Sequence, residues 1–216
     1  MSRCKALCVI MVLGATGAQA DDVVIAALGD SLTQGYGLPV EDGFVPQLQR
    51  WLDAQGAEVR LINAGVSGDT TAGGLARVGW TLTPEVDGMI VALGGNDLLR
   101  GLDPGQARAN IEGILQASAT ANVEVLLVGM EAPGNYGPDY KTQFDALYPE
   151  LAAAYGTGFQ DSFFAGLVDE GQDMDPAALR QWFQADGIQH TAEGVARIVA
   201  GIGPQVLALI DTNEAE

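Results

Sequence analysis

Six apolar residues, Val23-Val24-Ile25-Ala26-Ala27-Leu28, run without a polar break into Gly29-Asp30-Ser31-Leu32-Thr33-Gln34-Gly35-Tyr36-Gly37. An unbroken apolar run of this length, bounded by turn residues, reads as a strand buried on both faces of a parallel sheet. Ser31 then stands where the strand ends and its loop begins. In open α/β sheets ligands bind at that carboxyl rim. A serine there is either a nucleophile or the cap of the following helix, and the four residues Gly-Asp-Ser-Leu alone favour the cap.

Residues 1–20 read as a secretory signal peptide. Arg3 and Lys5 give a basic start, and Ala6 to Leu13 an apolar stretch too short to span a bilayer. Ala18-Gln19-Ala20 is a small-residue cleavage site. Both cysteines, Cys4 and Cys8, fall inside this segment. The mature chain is therefore expected to be periplasmic or secreted after cleavage near Ala20, with no disulfide, no thiolate metal site and no stable membrane anchor. Residues 21–216 suit one domain of ordinary size. Loss of Arg3 and Lys5 takes the formal charge from −18 to −20 and leaves Lys141 as the only lysine. Such a surface repels nucleic acid and anionic lipid.

Strands and helices alternate along the rest. Phe44 to Gln55 carries apolar residues at helical spacing, and Val59-Arg60-Leu61-Ile62 is a second strand running into Asn63 to Thr70. Thr71 to Thr83 reads as a helix, and Met89 to Leu93 as a third strand ending in Gly94-Gly95-Asn96-Asp97. Asp103-Pro104-Gly105-Gln106 is a capped helix start. Val123 to Met130 is a fourth strand, a helix covers Tyr140 to Tyr155, and Phe159 to Phe163 is a short fifth strand. Asp169 to Asp175 reads as a solvated acidic loop. A helix rich in alanine and aromatics leads to Asp186-Gly187-Ile188-Gln189-His190, and Val195 to Ile210 closes the chain. The expectation is a single three-layer α/β/α sandwich, flavodoxin-like, with a parallel sheet of about five strands.

The polar loops follow successive strands: Ser31 the first, Gly68 the second, Asn96 the third, Asn135-Tyr136 the fourth. A parallel sheet gathers them on one rim. His190 is the only histidine and lies in a polar turn with Asp186 four residues earlier. Acyl transfer needs this set. A serine hydroxyl needs a base to take its proton, a carboxylate orients the imidazole, and the tetrahedral oxyanion needs preset donors. The Ser31 and Gly68 amides and the Asn96 side chain are the candidate donors. Leu98, Leu99 and Tyr136 are candidates for an apolar acyl-binding wall.

Four blocks, Gly29-Asp30-Ser31-Leu32, Asn63 to Thr70, Gly94-Gly95-Asn96-Asp97 and Asp186 to His190, together resemble the SGNH (GDSL) hydrolases, most of all their bacterial thioesterase, lysophospholipase and arylesterase branch. The similarity runs in order over nearly all of the mature chain. It implies Ser31 as nucleophile, Gly68 and Asn96 as oxyanion donors, Asp186 and His190 as the other triad members, and no cofactor. In that family the last block reads Asp-x-x-His, often followed by proline. Here Gln189 stands at the histidine position and His190 at the proline position.

Other readings fit less well. Thr33 breaks the Gly-x-Ser-x-Gly elbow of α/β-hydrolases, no Gly-Lys-Ser/Thr loop is present, and one histidine without a mature cysteine argues against a transition-metal site. Two functions remain: a periplasmic serine esterase acting on a small acyl ester, thioester or lysophospholipid, and a weakened or inactive binding protein on the same fold. For the first, His190 is expected to act as base by a one-residue loop-out of its turn. Composition says nothing of oligomeric state.

Overall fold

The computed structural model describes residues 23–168 and 179–214. Residues 1–20, read from sequence as a signal peptide, and the acidic stretch Asp169 to Asp175 lie outside the described residues.

Five strands form one parallel sheet: β1 (Val23–Gly29), β2 (Val59–Gly65), β3 (Gly88–Ala92), β4 (Glu124–Val128) and β5 (Gly158–Gln160). Their spatial order is β2-β1-β3-β4-β5. This is the flavodoxin-like order, whose switch point falls between β1 and β3. β1 and β3 are central and almost wholly buried, which is why their sequences carry no alternation of polar and apolar residues. In register, Ala27 of β1 lies between Asn63 and Ile90, so the three strands end at one level.

Helices α2 (Phe44–Gln55) and α7 (Ala192–Glu214) pack together on one face of the sheet. The other face carries α3 (Thr71–Thr81), α5 (Pro104–Thr120) and α6 (Pro138–Tyr155). Ile25, Leu28, Leu48, Met89, Ile90 and Ile111 are fully buried between the layers. Each such side chain contributes roughly 1.5–3 kcal/mol by leaving water. α5 begins as its sequence predicts: the Asp103 carboxylate accepts the Gln106 N–H at 3.0 Å and Pro104 opens the first turn. α7 is long and apolar enough to cross a membrane, yet half of its apolar window is buried inside the fold, where Val195, Ile198, Ile202 and Val206 join the core.

Two short helices that the sequence does not announce carry residues of the carboxyl rim. α1 (Ser31–Gln34) and α4 (Gly95–Arg100) start directly after β1 and β3. Of the helix expected before Asp186, the alanine-rich part up to residue 178 lies outside the described residues, and its aromatic end is not regular helix. From residue 179 it holds a 3-10 turn at Arg180–Trp182 and then an isolated antiparallel bridge between Phe183 and His190.

Candidate active site

Ser31 is the first residue of α1, where no intrahelical acceptor exists for its N–H. Asp30 caps that helix, its Oδ1 accepting the Leu32 N–H at 3.0 Å. Asp30 is 2 % exposed, and burial pushes its carboxyl up to about 6 against the pull of the Leu32 and Asn96 hydrogen bonds; the charges of Asp69 and Asp97 push it the same way. Asn96, in the first turn of α4, donates through Nδ2 to Asp30 Oδ2 at 3.2 Å and to the Asp69 carbonyl at 2.9 Å. Gly68 holds φ +83, a left-handed conformation that suits glycine, and its carbonyl accepts from Arg100 at 2.8 Å. Ser31, Gly68 and Asn96 thus gather around the switch point, as expected of loops on one rim.

Asp97 is buried and accepts both the N–H and the hydroxyl of Thr71, at 2.8 and 2.7 Å. A carboxylate at the start of α3 complements the helix dipole and pins the third-strand loop to that helix. The sequence marks Asp97 as a turn residue only; its helix-capping role across 26 positions has no local signal.

A cleft of about 380 Å³ opens beside Ser31. Leu98, Leu99 and Tyr136 line it as expected, joined by Met130, Pro133, Phe164, Phe183 and Ile188, which the sequence did not single out. Behind Tyr136 a ladder of rings at four-residue spacing, Tyr136, Tyr140, Phe144 and Tyr148, runs into the core with centroid separations of 4.9, 5.9 and 5.8 Å.

The last block departs from expectation. Gln189 Nε2 donates to Ser31 Oγ at 3.0 Å, so an amide occupies the place expected of the base. His190 is 4 % exposed and packs among Phe183, Phe164 and Phe163, at centroid distances of 4.5, 5.3 and 6.4 Å. Its Nε2 has no hydrogen-bond partner among the described residues. Burial lowers the imidazole to about 4, and the charge of Asp186 only partly opposes this. Asp186 spends Oδ1 on the Ile188 and Gln189 N–H groups, at 2.9 and 3.0 Å, and those bonds hold its carboxyl below the usual range.

The physical reason is strand register. Gln184 N–H donates to the Gln189 carbonyl at 2.7 Å, Thr191 N–H donates to the Trp182 carbonyl at 2.9 Å, and Phe183 faces His190 across the bridge. Neighbouring side chains of extended backbone point to opposite sides. With Gln189 aimed at Ser31, His190 faces inward to the aromatic cluster. The expected loop-out of one residue is absent, because this pairing leaves no slack for it.

Comparison with known proteins agrees with the fold. The profile of the GDSL-like Lipase/Acylhydrolase family matches residues 27–197. "Esterase TesA" of Pseudomonas aeruginosa is 34 % identical over 204 residues, covering 94 % of this chain and 96 % of that protein. "Thioesterase 1/protease 1/lysophospholipase L1" of Escherichia coli K12 is 33 % identical over 204 residues, 94 % of this chain and 91 % of its own. The crystal structure of AlinE4, an SGNH-hydrolase family esterase, superposes with a TM-score of 0.70 at 39 % identity, covering 88 % of this chain and 98 % of that one. With the family profile matched over most of its length and relatives at 33–39 % identity aligned nearly end to end, the chain belongs to the GDSL-like lipase/acylhydrolase family, the SGNH hydrolases.

Proposed function

We propose that the protein is an exported serine hydrolase of acyl esters that turns over slowly, because Ser31 meets the amide of Gln189 rather than an imidazole. The carrying observation is the 3.0 Å contact from Gln189 Nε2 to Ser31 Oγ. An amide is a donor there and takes no proton near neutral pH, so attack by Ser31 lacks its general base. The oxyanion donors and apolar cleft still supply binding and electrostatic stabilisation, which sustain residual catalysis when a triad member is missing. Substrate is a small or lipid-like acyl ester or thioester whose chain fits the apolar cleft. Export rests on the character of residues 1–20, and the net charge of −18 supports the absence of nucleic-acid partners.

A chromogenic short-chain ester tests this reading. Ser31→Ala should abolish hydrolysis. Gln189→His, which sets an imidazole beside Ser31 with Asp186 already bound to the 189 N–H, should raise turnover at least ~10-fold, since a positioned general base contributes on the order of 10²–10⁴. His190→Phe should leave turnover within about threefold of the parent, because the ring serves the core. A loss of orders of magnitude in His190→Phe, with no gain in Gln189→His, would make His190 the base and overturn the proposal. A parent chain that binds the ester but never hydrolyses it would instead favour the binding-protein reading.

A further inference from the structure

We infer that Arg77 is a positioning residue for acyl transfer at Ser31, tying together the two strand ends and the loop that carry the reacting groups. The inference rests on the reading of Ser31 as the group that accepts the acyl chain. Arg77 projects from α3 beneath the rim, and its side chain is only 16 % exposed. Its three nitrogens take three different partners. Nε donates to Asp69 Oδ2 at 2.5 Å, Nη1 to the Ala64 carbonyl at 2.7 Å, and Nη2 to the Gly29 carbonyl at 2.8 Å.

Each partner stands next to a residue of the site. Gly29 ends β1 two positions before Ser31. Ala64 lies at the end of β2, four positions before Gly68. Asp69 follows Gly68, and its carbonyl is the acceptor that aims Asn96. One planar guanidinium therefore sets the relative placement of nucleophile, backbone donor and side-chain donor. The Gly29 carbonyl already accepts the Val66 N–H at 3.0 Å, so it does not need Arg77 for its own satisfaction. What the cation adds there is geometry. It also places a positive charge beside Asp69 in a site that gathers the carboxylates of Asp30, Asp69 and Asp97. By contrast, the Arg60–Glu85 and Arg108–Glu150 pairs are each about half exposed and touch no site residue.

Lysine separates positioning from simple charge pairing. An ammonium satisfies Asp69 as a point charge but cannot span both carbonyls as the rigid fork does. The experiment compares Arg77→Met and Arg77→Lys, each in the parent and in the Gln189→His chain, by kcat, KM, the rate of Ser31 labelling with a fluorophosphonate, and Tm. Expected in both variants is a fall of about 10- to 100-fold in kcat and in labelling rate with KM within about threefold, as misplacement by a fraction of an ångström costs on that order. Arg77→Lys should recover most of the Tm lost in Arg77→Met without recovering kcat. Lysine restoring kcat together with Tm, or a lower Tm with unchanged kcat and labelling, overturns the role. Should Arg77→Met not fold, Arg77→Lys and Asp69→Asn carry the same comparison, and unchanged kcat in both overturns it. Failure to label Ser31 in either background would sink the hydrolase reading along with this one. Labelling that Arg77→Met leaves unchanged sinks this one alone.

Discussion

At the scale of single residues, the site shows how much a one-position difference matters. Gln189 and His190 are adjacent, yet one touches the nucleophile and the other fills an aromatic pocket. Asn96 shows the other side of the same lesson. Its amide serves Asp30 and the Asp69 carbonyl, so it holds the loops together as well as facing the cleft. On the proposed oxyanion role, Asn96→Ala should lower turnover by about 100-fold, and the acceptors it leaves unpaired should reduce unfolding stability by about 1–3 kcal/mol. Kinetics and urea unfolding of the same preparation check both numbers. Normal turnover in a destabilised protein would assign Asn96 to the loop alone. None of these partnerships is legible in sequence. A guanidinium on a helix, such as Arg77, reads as surface charge, and the register that turns His190 inward depends on Phe183, in a stretch whose composition reads as helix.

At the scale of elements, the inner strands β1, β3 and β4 were legible because they are buried on both faces, and continuous apolar runs such as Ile25 to Leu28 and Met89 to Leu93 have no competing explanation. The carboxyl-rim rule then placed Ser31, Gly68 and Asn96 together without any packing detail. The short helices α1 and α4 were not legible, because four to six residues carry no periodicity. α4 depends instead on a close approach. Its cap, Gly94, holds φ +119, and a Cβ there would lie 2.0 Å from Tyr148 Oη, which donates to the Leu93 carbonyl at 2.9 Å. Tyr148 thus sets the height of the Asn96 loop from the far end of the ring ladder. Gly94→Ala should cost about 3 kcal/mol or more, combining overpacking with an unfavourable backbone conformation. Adding Tyr148→Phe removes the clashing oxygen, so the double variant should be less destabilised than the sum of the two singles by about 1 kcal/mol or more, within the range found for residues in contact. Strict additivity in a double-mutant cycle would show that the backbone conformation, not the contact, carries the cost.

At the scale of the whole molecule, two buried groups in the site region couple folding to pH with opposite signs. Asp30 is raised from 3.8 to about 6 in the folded protein, so the folded state holds a proton that the unfolded chain has lost. Its contribution is present below pH ~4 and disappears as pH rises through 6. His190 is lowered from 6.5 to about 4, so the unfolded chain takes a proton that the folded state refuses. Its contribution is present above pH ~6.5 and disappears as pH falls through 4. Each amounts to about 3 kcal/mol, at ~1.4 kcal/mol per pH unit for one proton. Between pH 4 and 6 the two slopes oppose and largely cancel, leaving the remaining carboxylates to set the profile of the parent. Removing one exposes the other. Relative to the parent, Asp30→Asn should gain stability as pH rises from about 4 to 6, and His190→Phe should lose it over the same window, each by about 3 kcal/mol. Urea unfolding of the three proteins at pH 4.5, 5.5 and 6.5 measures the differences directly, since charges common to all three drop out. Parallel curves for parent and both variants would mean that neither group is held away from its ordinary ionisation, and that the His190 ring is reached by water rather than shut among Phe163, Phe164 and Phe183.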